Sequence, residues 1–315
     1  MDQLVPSGAE LERAARLLEV RSRREASSAF SGGYRSAFRG GGIEFEESRP
    51  YLPGDDVRAL DWNATARSGI PYVKRFREER DQTVVLAVDV SASMRFESVG
   101  RAKAALAAHA AALIAAAAGR AGDRIGLLSF DTEIRDEIPP ARGEAHTWRI
   151  LCALVAAAGQ SSGGTDLETV ISRLRAGMRR RAIVLVFSDF RDDLFFATRT
   201  NGGPPRAEWV ALARHHDLVA VTICDPREEE IPNAGIIRLS DPEAPHRPVV
   251  FVFDTRSQRA RARYAAACAA RRRALERRLR ADGADTLALR TDRNPLHALT
   301  RFFQAHAGRH RGAVT

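Results

Sequence analysis

The 315-residue sequence holds three cysteines, Cys152, Cys224 and Cys268, and no pair is spaced as CxxC. An odd, scattered set of thiols in apolar or alanine-rich runs excludes a disulfide framework and a zinc knuckle, and it suits a reducing compartment. Lysine is nearly missing. Lys74 and Lys103 are the only two, so the 49 basic residues are almost all arginine. Long apolar runs are also lacking. The longest, Ala104 to Ala118, contains His109 and is mostly alanine, which is too short and too weakly hydrophobic to cross a bilayer. Met1 to Arg24 alternates charge with leucine, unlike the continuous apolar stretch of a signal peptide. There is no G-x-x-x-x-G-K-[ST] phosphate loop, and the G-x-S-x-G match at Gly159-Gln160-Ser161-Ser162-Gly163 follows a predicted helix, not the strand that a nucleophile elbow needs. A cytoplasmic protein with no membrane span is the expectation.

What remains is ordinary globular composition, 44% hydrophobic and 28% charged, with a formal charge of +9. A chain of this length buries about three-quarters of its unfolded surface, enough for one large core with a small satellite. The spacing predicts a helix over residues 10–25. The Ser/Gly/Arg stretch from Ser27 to Gly42 reads as a loop. Residues 43–80 mix alternating segments, such as Ile43 to Glu46, with the turn Pro53-Gly54-Asp55-Asp56, and read as a small β-rich unit. From Thr83 the chain alternates buried strands with helices. Strands are predicted near residues 83–88, 124–130, 183–187, 218–223, 248–253 and 286–289. Helices are predicted over 101–119, 147–158, 167–179, 208–215, 258–282 and 295–307. This alternation implies an α/β fold, a mostly parallel sheet with helices on both faces. The domain reading is an N-terminal extension over 1–30, a β-rich subdomain over 31–82, the α/β domain over 83–307 and a disordered tail over 308–315.

In open α/β sheets ligands bind beyond the carboxyl ends of the strands. Asp89-Val90-Ser91-Ala92-Ser93 follows the first strand, Gly163-Gly164-Thr165-Asp166 precedes a helix, and Ser188-Asp189 ends the third strand. Asp89, Ser91, Ser93, Thr165 and Asp189 together supply two carboxylates and three hydroxyls. All are hard oxygen donors, suited to Mg²⁺ or Mn²⁺. Two carboxylates leave such an ion without a further anionic ligand, so it would accept an acidic side chain from a protein partner. No base that could activate a metal-bound water is apparent nearby. Taken singly, Ser91 or Asp166 would be a helix cap.

This set, in this order, resembles the metal-ion-dependent adhesion site of von Willebrand factor type A domains. The resemblance implies serine and threonine as direct ligands, aspartates acting largely through water, and a strand order of 3-2-1-4-5-6. Upstream, Gly40-Gly41-Gly42-Ile43-Glu44-Phe45, Arg49-Pro50-Tyr51-Leu52-Pro53-Gly54-Asp55-Asp56-Val57-Arg58, Asp61-Trp62 and Ala66-Arg67 resemble the bacterial domain-of-unknown-function-58 family. The likeness covers about residues 30–300. It implies work beside a MoxR-type AAA+ ATPase in assembling or maturing protein complexes. Members of that family often carry N-terminal transmembrane helices, which are not found here.

The function expected is a non-enzymatic, metal-dependent protein-interaction module. A metal-dependent hydrolase using the same residues is the alternative. A second alternative is nucleic-acid binding through Arg256 to Arg280, where ten arginines meet only Glu276. Tyr264 is the sole aromatic there, which disfavours it. Arg49, Arg58 and Arg67 are expected to pair with Asp55, Asp56 and Asp61, and Trp62 to lie in the core. His215, His216, His306 and His310 are expected at the surface or in packing.

Overall fold

The computed structural model describes residues 8–26, 28–37, 43–78, 82–159, 163–191, 204–240 and 251–312. Its centre is a six-stranded sheet of β3 (Thr83–Asp89), β4 (Arg124–Phe130), β5 (Ile134–Ala141), β6 (Ile183–Ser188), β7 (Asp217–Cys224) and β10 (Asp285–Arg290). The order is β10-β7-β6-β3-β4-β5. Only the β4–β5 pair is antiparallel. Counted within the sheet, that order is 3-2-1-4-5-6, as the resemblance implies. Apolar runs such as Thr83 to Val88 form the central strands because both faces are covered, so no alternation with polar residues is needed.

Helix α4 (Lys103–Ala121) lies at the centre of one face. Its run of small side chains lets it sit close to the sheet, and all of Leu106 to Ala118 is buried. Gly122, at φ 81°, ends it by donating to the Ala118 and Gly119 carbonyls, a left-handed cap that glycine adopts without strain. The glycine expected to close the helix, Gly119, lies inside it. By length and apolarity the whole helix does reach what a bilayer span needs, contrary to the reading of its alanine run. Its burial makes it the core helix of this face. Helices α5 (Glu144–Gly159) and α10 (Pro295–Gly312) pack on the same side. Helices α6 (Leu167–Gly177), α7 (Pro204–His215) and α9 (Gln258–Ala281) cover the other, around Trp209, Phe190 and Leu279.

Several expectations are corrected. Ser28–Ala37 is a helix, α2, where the sequence suggested a loop. With α1 (Gly8–Glu25) it forms a further layer against α4, α5 and α10. Phe30, Tyr34 and Ala37 belong to the main core, so a boundary at residue 30 would cut a core helix. Serine and two glycines hid this helix, while one apolar face stabilises it. Strand β5 was not foreseen. Only Ile138 in it is buried, and Pro139 and Pro140 are tolerable on an edge strand. Residues 308–312 continue α10 rather than forming a tail. Strand β9 (Phe251–Asp254) pairs with β8 (Ile236–Leu239) outside the main sheet; the predicted start of that strand at residue 248 lies outside the described residues.

The β-rich unit is present as an antiparallel pair, β1 (Ile43–Pro50) and β2 (Tyr72–Glu78), with α3 (Trp62–Ser68) between them. Asp61 caps α3 through the Asn63 and Ala64 amides and accepts from Ser48 at 2.6 Å. Arg49 grips Asp55 with two nitrogens, at 2.8 and 2.7 Å, so that aspartate serves the turn. Trp62 is 72% exposed at the start of α3, not in the core.

Two measurements test this architecture. The Tyr34 hydroxyl donates to Asp123 at 2.8 Å, both residues buried. Tyr34→Phe should therefore cost about 1.5–3 kcal/mol in urea unfolding; a loss within error would detach α2 from the core. His216, buried between α7 and β7, accepts the Ala182 amide on Nδ1 at 3.2 Å. Burial first, then neighbouring His215, push its pKa down to about 4. The fold keeps this imidazole neutral. Its contribution is full above the ordinary histidine range and is lost as pH falls towards about 4, because the unfolded chain takes up the proton first. The wild-type urea midpoint should fall more steeply with acidification than that of His216→Asn. Parallel curves would refute it.

Candidate metal centre

Strand β3 lies between β4 and β6 and ends at Asp89. The chain then turns sharply. The Ser91 amide donates to Asp89 Oδ1 at 2.9 Å, and residues Ala92–Arg95 form one short 3₁₀ turn. The Ala92 amide donates to the Gly163 carbonyl at 2.9 Å. That bond ties the serine loop to the loop before α6 and brings Thr165 across from Asp89. Asp166 caps α6 through the Glu168 and Thr169 amides, so the capping role falls to the aspartate and the neighbouring threonine faces the strand ends.

All five residues singled out from the sequence meet here. The Ser91 and Ser93 hydroxyls lie 3.2 Å apart. The Thr165 hydroxyl donates to Asp89 Oδ2 at 3.4 Å. Asp189 follows β6, and the charges of Asp89 and Asp189 act on one another. Asp89 and Ser91 are fully buried, and Ser93 and Asp189 nearly so.

Four further residues complete the site. Ser188 donates to Asp89 Oδ2 at 2.6 Å. Lys103, at the start of α4 and wholly buried, places Nζ 2.6 Å from Asp189 Oδ2 and 2.8 Å from Glu228 Oε1. Arg191 approaches Glu228 at 3.2 Å and Asp189 at 3.8 Å. The signal for Lys103 was available, since it is one of only two lysines and it opens an alanine-rich helix. Glu228 lies on the four-residue helix α8 (Pro226–Glu229), which has no sequence pattern long enough to read.

The two carboxylates differ electrostatically. Burial, then the charge on Asp189, pushes the Asp89 carboxyl up to about 7, against the hydrogen bonds from Ser188 and Ser91. Burial would raise Asp189 as well. The charge and hydrogen bond of Lys103 outweigh it, helped by Arg191 and Ser93, and Asp189 is held below the usual range. One acid is thus balanced by an internal cation and the other is not. Among the described residues no group of three or more His, Cys, Asp or Glu side chains has a metal-binding arrangement. A cation here would rely on two carboxylates and the three hydroxyls. That donor set fits a hard divalent ion, and Asp89 is the acid such an ion would relieve.

Comparison with solved structures finds BatB from Bacteroides thetaiotaomicron at 14% identity and TM-score 0.45, over 72% of this chain and 99% of that one. An aerotolerance-related membrane protein from Bacteroides fragilis gives 14% and 0.46 over the same shares. Both likenesses are distant. Among curated sequences, the uncharacterized protein Rv1480 of Mycobacterium tuberculosis is 34% identical over 306 residues, 96% of this chain and 91% of its own. The uncharacterized protein MAV169 of Mycobacterium avium is 33% identical over 56% of this chain and 95% of its own. The family described as "Protein of unknown function DUF58" matches residues 47–274, and the chain belongs to that family.

Proposed function

We propose that this protein is a non-enzymatic, Mg²⁺- or Mn²⁺-dependent protein-interaction module of the cytoplasm, acting with a MoxR-type AAA+ ATPase. The observation that carries the reading is the convergence of Asp89, Ser91, Ser93, Thr165 and Asp189 at one end of the sheet. Ser91, Ser93 and Thr165 would hold the ion directly, with Asp89 and Asp189 behind them. When bound, the ion supplies a positive centre that draws a carboxylate from the partner. The remaining work belongs to the chain. The Ser91 amide and Ser188 hydroxyl fix the Asp89 carboxylate, the Gly163 carbonyl holds the serine loop, and Lys103 anchors Asp189. Lys103 is engaged by two carboxylates, which hold its Nζ in place. The ATPase as partner rests on the family resemblance.

Isothermal titration with Mg²⁺ and Mn²⁺ tests the site. An ion needs Asp89 ionised, so binding should release about half a proton at pH 7, rising to about one below it, and weaken about tenfold per pH unit below 7. Asp89→Asn and Ser91→Ala should abolish it. No heat in the wild type, or binding that ignores both substitutions, would sink the reading. Lys103→Met removes one positive charge beside Asp189 and should tighten Mg²⁺ binding by on the order of tenfold; unchanged or weaker affinity in a folded variant would show that Lys103 does not oppose the ion. The partnership is tested by retention of the MoxR-type ATPase on the immobilised chain. It should hold in Mg²⁺ and be lost in chelator or with Asp89→Asn, and retention blind to both contradicts it.

A further inference from the structure

Beside the carboxylate pair, the carboxyl ends of β7 and β10 are roofed by α9 and flanked by the first turns of α10. They enclose a cavity of about 920 Å³. One stripe of α9 faces it, with Tyr264, Cys268, Arg271 and Leu275 recurring at helical spacing. Its lining holds seven arginines against four carboxylates. Three of those carboxylates are already engaged. Asp189 and Glu228 bind Lys103, and Glu229 takes both Arg272 and Arg290. Among the described residues no ion pair engages Arg273, Arg293 or Arg301. The cavity therefore concentrates positive charge that its own acids leave unmatched. Burial, the largest influence on each, pushes the Cys224 thiol and the Tyr264 hydroxyl up to about 12, so neither adds negative charge at neutral pH. Apolar side chains lie among these charges, with Leu275 on α9 and Ile223 and Leu289 on the strands, and Ala288 stays exposed although it lies within β10.

We propose that this cavity is a binding site for a phosphoanion, a phosphorylated small molecule of nucleotide size. Converging guanidinium groups match phosphate oxygens in planar, two-pronged contacts. The apolar side chains offer a surface to the body that carries the phosphates. The volume lies within the range of small-molecule pockets, and the carboxyl ends of parallel strands are where such ligands dock. The seven arginines line a concavity, a shape that suits a small ligand better than a duplex. Arginine-held phosphate needs no metal, so this site stands apart from the function proposed above.

The test is calorimetric titration of the full chain in chelator, at physiological ionic strength, with inorganic tripolyphosphate and with ATP as probes. Both should bind, and Arg301→Glu or Arg273→Glu should weaken binding by about tenfold or more. Arg263→Glu, on the same helix but outside the cavity, changes net charge equally and should leave it intact. ATP binding tighter than tripolyphosphate supports a ligand with an organic body. Equal binding would overturn the nucleotide-sized body and leave a site for free polyphosphate. No binding of either probe would overturn the proposal, and so would equal loss in the cavity and control variants. Stronger competition by a single-stranded oligonucleotide would also overturn it, in favour of a nucleic-acid surface.

Discussion

Two acids, Asp89 and Asp189, end neighbouring strands with their side chains out of water. Desolvating a carboxylate is expensive unless its charge is balanced and its oxygens are bonded. Much of the local architecture satisfies that requirement. The turn after β3 aims the Ser91 amide at Asp89, β6 supplies the Ser188 hydroxyl, and α4 begins with the ammonium that meets Asp189. Removing any one would leave a buried acid short of a partner. This is why three loops separated by up to a hundred residues close on one point.

The same balance extends sideways. Glu228 accepts from Lys103 and also closes a capping box with Asp225 on α8. Asp225, fully buried, bonds the Ser98 hydroxyl and amide and accepts Thr291 at 2.8 Å. Ser98 belongs to the loop after β3, and Thr291 follows β10. One acidic residue thus ties the far edge of the sheet to the loop entering α4. Glu229 continues the chain of ion pairs to Arg272 on α9 and Arg290 on β10. The carboxylate pair and the arginine-lined cavity therefore share a wall built from one four-residue helix.

What the sequence made legible follows from how local each signal is. The buried strands and the five oxygen donors could be read because each is a short, self-contained pattern at a strand end. Sheet order came from the family likeness, since pairing is a long-range property. Helix α2 was hidden by Ser28, Ser31, Gly32 and Gly33, whose weak propensity is overridden by packing of Phe30 and Tyr34 against Phe303. Strand β5 was hidden because an exposed edge needs no alternation. Glu228 was missed for another reason: its role exists only in its pairing with Lys103, 125 residues away, and no local pattern joins the two.

The choice of lysine at position 103 is itself informative. A cation at the start of a helix faces the positive end of the macrodipole, an unfavourable place for it. The side chain is also fully buried, in a chain whose basic residues are otherwise arginine except Lys74. Both costs are offset by contacts of 2.6 and 2.8 Å to two carboxylates from different elements. A compact ammonium can stand between two acids at such distances. A planar guanidinium would need a wider space and would present its donors in a fixed fork. Geometry at the strand ends thus selects the residue type. Because the ammonium balances Asp189 and leaves Asp89 uncompensated, it also decides which of the two acids holds the unmet demand for positive charge.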